Sequence, residues 1–112
     1  MSGNAKETIF AECMKPGGFA EAIRENKVDE EGFRRLVDAV KMLASTVEND
    51  DSIDRLTVAS LFELPWEIEN TVEHYSSQSN ELGSRVSKMA DELREAINEL
   101  LWGGLESHYE NL

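Results

Sequence analysis

The side chains that most often carry metal-dependent chemistry are few in this chain and far apart. The sequence has one cysteine, Cys13, and two histidines, His74 and His108. A zinc site needs three or four ligands that converge, and these residues show no paired spacing. A di-iron bundle would carry Glu-x-x-His on a helix, but Thr71 and Leu105 stand three residues before the two histidines. The sequence therefore predicts no zinc or di-iron centre.

An acidic run in the middle of the chain has part of the pattern of a calcium-binding loop. A loop that began at Asp50 would place Ser52 and Asp54 at its third and fifth positions. An EF-hand also needs glycine at position six and glutamate at position twelve, where this chain has Arg55 and Leu61. We interpret the run as an interhelix loop in which Asp51 or Ser52 caps the following helix.

Glutamates on facing helices can hold magnesium for phosphate chemistry, which makes a metal-dependent phosphohydrolase a third functional hypothesis. The carboxylates on the last helix nevertheless flank or oppose its apolar positions, and two spacings there, 81–85 and 88–92, are typical of surface ion pairs. A solvated acidic surface is the favoured interpretation, so we predict no metal, no cofactor and no catalytic residue. The carboxylates concerned are Asp91, Glu92, Glu95, Glu99, Glu63, Glu67, Glu69 and Glu73.

Nucleophilic catalysis and phosphate binding also lack support in the sequence. Cys13 lies on an apolar helix face beside Phe10 and Met14, with no basic residue paired to it, which favours a buried thiol. The Gly17-Gly18 pair lacks the Lys-Ser/Thr that completes a phosphate-binding loop. We expect that the protein is not an enzyme.

Charge and length set the class of protein. The chain has 112 residues, 11 Lys+Arg and 23 Asp+Glu, for a net charge of −12. This length suits one domain, residues 1–112. A strongly acidic protein is repelled by nucleic acid and by anionic lipid and is attracted to basic proteins. No apolar run of about 18 residues and no signal-type leader occur, so we expect a cytoplasmic protein without membrane contact.

Residues 56–75 follow the apolar spacing of a helix-turn-helix, which gives an alternative hypothesis of a transcription-related regulator. The turn glycine is missing, and Pro65-Trp66 stands in that region. Between Arg55 and Arg85 the chain has no Lys or Arg but five glutamates. A recognition helix with this charge would repel phosphates. The regulator would therefore act through a partner or as an acidic decoy, without direct nucleic-acid contact.

Helical periodicity dominates the chain and predicts an all-α fold, a small bundle of four to five helices. A short helical N-terminal part covers about 5–26, the main bundle about 29–102, and a short tail 103–112. Asp29 is the expected N-cap of the third helix, on which Met42 lies off the apolar stripe. The predicted helical segments cover 5–14, 19–26, 30–47, 53–75 with a break or kink at Pro65 (53–63 and 65–75), and 81–102, with a loop at 76–80.

The last helix has a wide apolar stripe that predicts either a bundle core or a dimer seam. Five helices share few large apolar residues, so a second copy could help to cover this stripe. The main hypothesis is a small acidic protein-interaction or regulatory domain that forms a homodimer, with a basic protein as a further possible partner. The candidate interface residues are Val86, Met89, Leu93, Ile97, Leu100, Met42 and Trp66.

Overall fold

The computed structural model describes residues 2–47 and 52–105, and the regular structure within these ranges is entirely helical. The all-α prediction is confirmed, including the long C-terminal helix. The beginning of the acidic run and the end of the tail with His108 lie outside the described residues. The helical segments are α1 (Ser2–Met14), α2 (Phe19–Arg24), α3 (Glu30–Thr46), α4 (Arg55–Phe62), α5 (Leu64–Asn70), α6 (Val72–Gln78) and α7 (Asn80–Trp102).

Side-chain caps fix where the longer helices begin. Asp29 caps α3 as predicted, and its carboxylate accepts a hydrogen bond of 3.0 Å from the Gly32 amide. The cap of α4 is Asp54, since the helix begins at residue 55 and not at 53. Asp54 accepts from both the amide and the hydroxyl of Thr57, at 3.2 and 3.1 Å. Such caps satisfy amides that have no partner within the helix.

The region after Pro65 differs from the prediction of one helix and a loop. The chain makes two short helices, α5 and α6, with Thr71 between them, and α6 continues through Ser76 and Ser77. These serines are weak helix formers, but tertiary contacts hold the segment in place. Tyr75 is buried and its hydroxyl donates a 2.8 Å hydrogen bond to the carbonyl of Ile23. Packing therefore overrides local propensity here.

One hydrophobic core joins the helices. α7 packs against α3, α5 and α6, and α1 packs against α3 and α4. The rings of Phe19 and Phe33 lie 5.3 Å apart, at the centre of the α2–α3 contact. No helix in the described part of the chain is both long enough and apolar enough to cross a membrane.

The turn between α1 and α2 is tied to α3 by a buried carboxylate. Glu12 is 7% exposed and accepts hydrogen bonds from the Phe19 amide, at 3.0 Å, and from Arg35 Nε, at 2.9 Å. The neighbouring Cys13 is buried, as predicted. Burial, followed by the charge of Glu12, raises the pKa of the Cys13 thiol to about 12. The thiol therefore stays protonated and poorly reactive at neutral pH.

Candidate interaction surface

Exposed large apolar side chains gather around α4 and the start of α5. Phe62 is 76% exposed, Trp66 61% and Leu56 55%. Single exposed apolar residues are ordinary on a protein surface, but neighbouring ones mark interaction sites. Aromatic residues in particular are enriched among those that dominate binding energy. This cluster is the first feature of the fold that suggests a function.

A groove runs beside these aromatic side chains, between α4–α5 and the C-terminal half of α7. Its volume is about 380 Å³, within the size range of binding pockets. Two of its lining side chains, Arg94 and Asn98, carry polar groups at their ends. We call it the aromatic groove, and it is lined by Val58, Leu61, Phe62, Pro65, Trp66, Arg94, Ile97, Asn98, Leu100 and Leu101.

The junction of α4 and α5 directs the aromatic side chains outward. Glu63 alone separates the two helices, and its backbone is itself helical, at φ −98° and ψ −9°. Leu61 and Leu64 are three residues apart and both are buried. Phe62 and Trp66 are four residues apart and share the opposite side, because side chains at that spacing stack on one face. Pro65 suits the first turn of α5, where its missing amide hydrogen costs nothing.

The predicted interface residues separate into two groups. Val86, Met89, Leu93 and Leu100 are buried in the core of the single chain, so the stripe on α7 is covered by the protein's own helices. Ile97 is partly buried and lines the aromatic groove together with the edge of Leu100. These four residues therefore lie in the core of the single chain, which is one of the two positions that the stripe on α7 predicted.

Met42 and Trp66 are both exposed, but they occupy different places. Met42 lies on α3 and is not among the residues that line the groove. Trp66 is part of the groove. The sequence analysis did not identify Phe62 and Leu56 as interface candidates, because it placed them in a helix over 53–63 without separating its buried side from its exposed side. The sequence did indicate that some apolar side chains of α4 are exposed, because α4 carries more apolar residues than one helix face can bury.

Within the described residues, four of the eight carboxylates considered as metal ligands are engaged in ion pairs, and three of these pairs join different helices. Glu67 pairs with Arg24 at 2.7 Å and Glu92 with Arg34 at 3.1 Å. Arg94 pairs with both Glu69 and Asp91, at 3.1 and 3.2 Å. Within residues 2–47 and 52–105, no group of three or more possible ligands is placed to hold a metal ion.

Two ion pairs predicted along α7 are replaced by pairs between helices. Arg85 binds Glu30 of α3 through two hydrogen bonds, of 2.8 and 2.6 Å, and not Glu81. Glu92 likewise pairs with Arg34 and not with Lys88. The hydrogen bonds from Arg85 hold the pKa of Glu30 below its ordinary value. The two hydrogen bonds from Arg85 to Glu30 are stronger than one contact along a helix, which explains why Arg85 pairs with Glu30. Arg34 makes a single hydrogen bond of 3.1 Å to Glu92.

The segment that resembles a helix-turn-helix contains three short helices joined by single residues. α4 and α5 have only Glu63 between them, and α5 and α6 only Thr71. The turn of three to four residues that sets the usual angle of the motif is absent there. Two glutamates of α5, Glu67 and Glu69, face Arg24 and Arg94. This geometry offers no basic surface to a phosphate backbone.

The fold and this surface together define a small all-α bundle with an exposed aromatic groove. Comparison with protein-family models, with curated proteins and with solved structures finds no match for this chain. The functional argument therefore depends on the residues of the chain itself.

Proposed function

We propose that this protein is a non-catalytic protein-interaction domain that self-associates through the surface around α4 and α5. The observation that carries the proposal is the exposure of Phe62 and Trp66 beside an apolar groove. Apolar surface contributes about 25 cal/mol per Å² when it is removed from water. Two large aromatic side chains exposed side by side thus provide a strong driving force for association.

The chemistry of the groove favours a protein side chain over a small polar ligand. Specific small-molecule sites combine apolar walls with a few convergent polar groups that fix orientation. Among the described residues that line the groove, Arg94 alone is charged, and Glu69 and Asp91 already neutralise it. An apolar side chain of a partner protein needs no such groups, and the ion-paired rim suits the polar edge of a protein interface.

Sedimentation velocity tests the proposal on the whole chain. Over a range from micromolar to submillimolar protein, we expect the wild type to shift from the 12.6 kDa monomer towards twice that mass. Phe62→Glu should abolish the shift, because it places a charge where the aromatic ring would be buried. Phe62 is largely exposed, so this substitution should leave the fold intact.

Met14→Glu is the matched control. Met14 is also exposed, lies at the end of α1 outside the aromatic groove, and receives the same added charge. It should associate like the wild type. A wild type that sediments as a monomer at every concentration would contradict self-association.

A further inference from the structure

We infer that two copies pair through antiparallel α4 helices, with the two Ala59 residues on the two-fold axis between them. This inference rests on the proposed self-association and adds a register to it. The α4 face consists of five residues at spacings of −4, −3, 0, +3 and +4 from Ala59, and all five are exposed: Arg55, Leu56, Ala59, Phe62 and Glu63. Residues three and four apart share one face of a helix, so these five form a single outward surface.

The face is complementary to itself when it is turned by 180°. In a two-fold interface, residue i of one copy meets residue j of the other, and j meets i. About an axis at Ala59, Arg55 meets Glu63 of the second copy, and Leu56 meets the second copy's Phe62. Each contact occurs twice. Opposite charges therefore meet at both ends of the paired helices. Next to each charged pair, on the side nearer to Ala59, lies an apolar pair.

Within the described part of the chain, the two charged residues of the face have no ion-pair partner of their own. Arg55 and Glu63 form no ion pair with any residue in the described ranges, whereas the arginines of α2, α3 and α7 are paired. Their side chains flank an open groove beside Phe62 that is also lined by Ile53, Val58 and Ala59. The face carries one positive residue, Arg55, and one negative residue, Glu63, so it is neutral although the protein as a whole is acidic.

The small residue at the centre permits close approach. Helix axes pack about 8–10 Å apart, at the shorter end when the side chains at the crossing are small, and Ala59 supplies a single methyl group. α4 has eight residues and is about 12 Å long. Phe62, Trp66 and the aromatic groove therefore extend the contact beyond the helix itself. The acidic remainder of each copy opposes pairing only weakly, because salt screens charges beyond about 8 Å at physiological ionic strength.

Charge reversal tests this register with the full chain. Arg55→Glu and Glu63→Arg each place like charges together at both ends of the antiparallel pair, so each should weaken self-association about tenfold. An equimolar mixture of the two variants should recover wild-type affinity as a heterodimer, and so should the double variant R55E/E63R as a homodimer. Lys88→Glu and Glu73→Arg, at exposed positions outside α4, are the matched controls and should associate like the wild type.

The outcomes separate the register from the proposed function. Recovery in the mixture, seen by sedimentation at low salt and reduced in 1 M salt, supports the antiparallel pairing. A dimer that Phe62→Glu disrupts but that charge reversal leaves unchanged would overturn the register and keep the self-association surface. A wild type that stays monomeric at every concentration would overturn both the register and the self-association. The groove would then have to bind a different protein.

Discussion

Replacing Gly83 with alanine is expected to lower the free energy of unfolding by about 3 kcal/mol, at the upper end of the usual cost of overpacking. Gly83 is buried in α7, where α6 crosses closely. A β-carbon at this position would lie 2.8 Å from the Cα atom of Ser76. Because that atom belongs to the backbone, a side-chain rotation cannot relieve the contact. We expect thermal unfolding, followed by circular dichroism, to show a midpoint lower by about 10 °C.

The direction of the stability change distinguishes a close helix contact at Gly83 from an open helix position. At an open position in a helix, glycine to alanine would stabilise the protein by up to about 1 kcal/mol. Ser84→Ala changes the neighbouring, exposed residue of the same helix and is expected to alter stability by no more than about 0.5 kcal/mol. A Gly83→Ala variant as stable as the wild type would show that α6 does not pack against α7 in this way.

Leu93→Ala is expected to lower the free energy of unfolding by about 3 kcal/mol, and the loss is smaller the further the cavity collapses. Leu93 is fully buried in the middle of α7. If it belonged to a dimer seam, its truncation would instead weaken association and leave the monomer nearly unchanged. The measurement is urea unfolding at a protein concentration low enough to keep the chain monomeric, since association adds apparent stability.

Phe62→Ala provides the matched contrast to Leu93→Ala. It also shortens a large apolar side chain, but one that is mostly exposed. We expect its unfolding free energy in the monomer to stay within about 0.5 kcal/mol of the wild type, while self-association weakens. Equal losses of stability in the two variants would contradict the assignment of Leu93 to the core and Phe62 to the surface.

The sequence predicts the longest elements of this fold well, and the reason is physical. α3 and α7 have clear caps and a sustained apolar period, so both their existence and their inward faces follow from local information. The division of 65–78 into α5 and α6 could not be predicted in this way. It depends on Tyr75 reaching the carbonyl of Ile23 and on the absence of a side chain at Gly83, both of which are contacts between distant parts of the chain.

The aromatic groove was predictable only in part, for a related reason. Trp66 was identified because it stands beside a proline at a helix boundary. Phe62 was not, because a short helix with many apolar residues does not reveal which of them face solvent. That choice depends on the path from α4 into α5, which buries Leu61 and Leu64 and exposes Phe62. The wide stripe on α7 predicted either a bundle core or a dimer seam, and most of its residues are buried within the single chain.

The proposed α4 pairing would bring the two copies of Ala59 close enough for a covalent test. With helix axes about 8–10 Å apart and Cα atoms about 2.3 Å from each axis, the two Cα atoms at the crossing fall within about 3–6 Å, which overlaps the range of a disulfide. Ala59→Cys should therefore oxidise to a linked dimer. The native Cys13 can remain in place, because it is buried and its pKa is raised to about 12.

The measurement that tests the account most directly is the mass of Ala59→Cys after mild oxidation at low micromolar concentration, on a non-reducing gel and by mass spectrometry. Ser84→Cys, at an exposed position on α7, is the control for random collision. We predict that Ala59→Cys becomes a disulfide-linked dimer through residue 59 while Ser84→Cys stays largely monomeric. Equal and slow linkage of both variants would contradict pairing through α4.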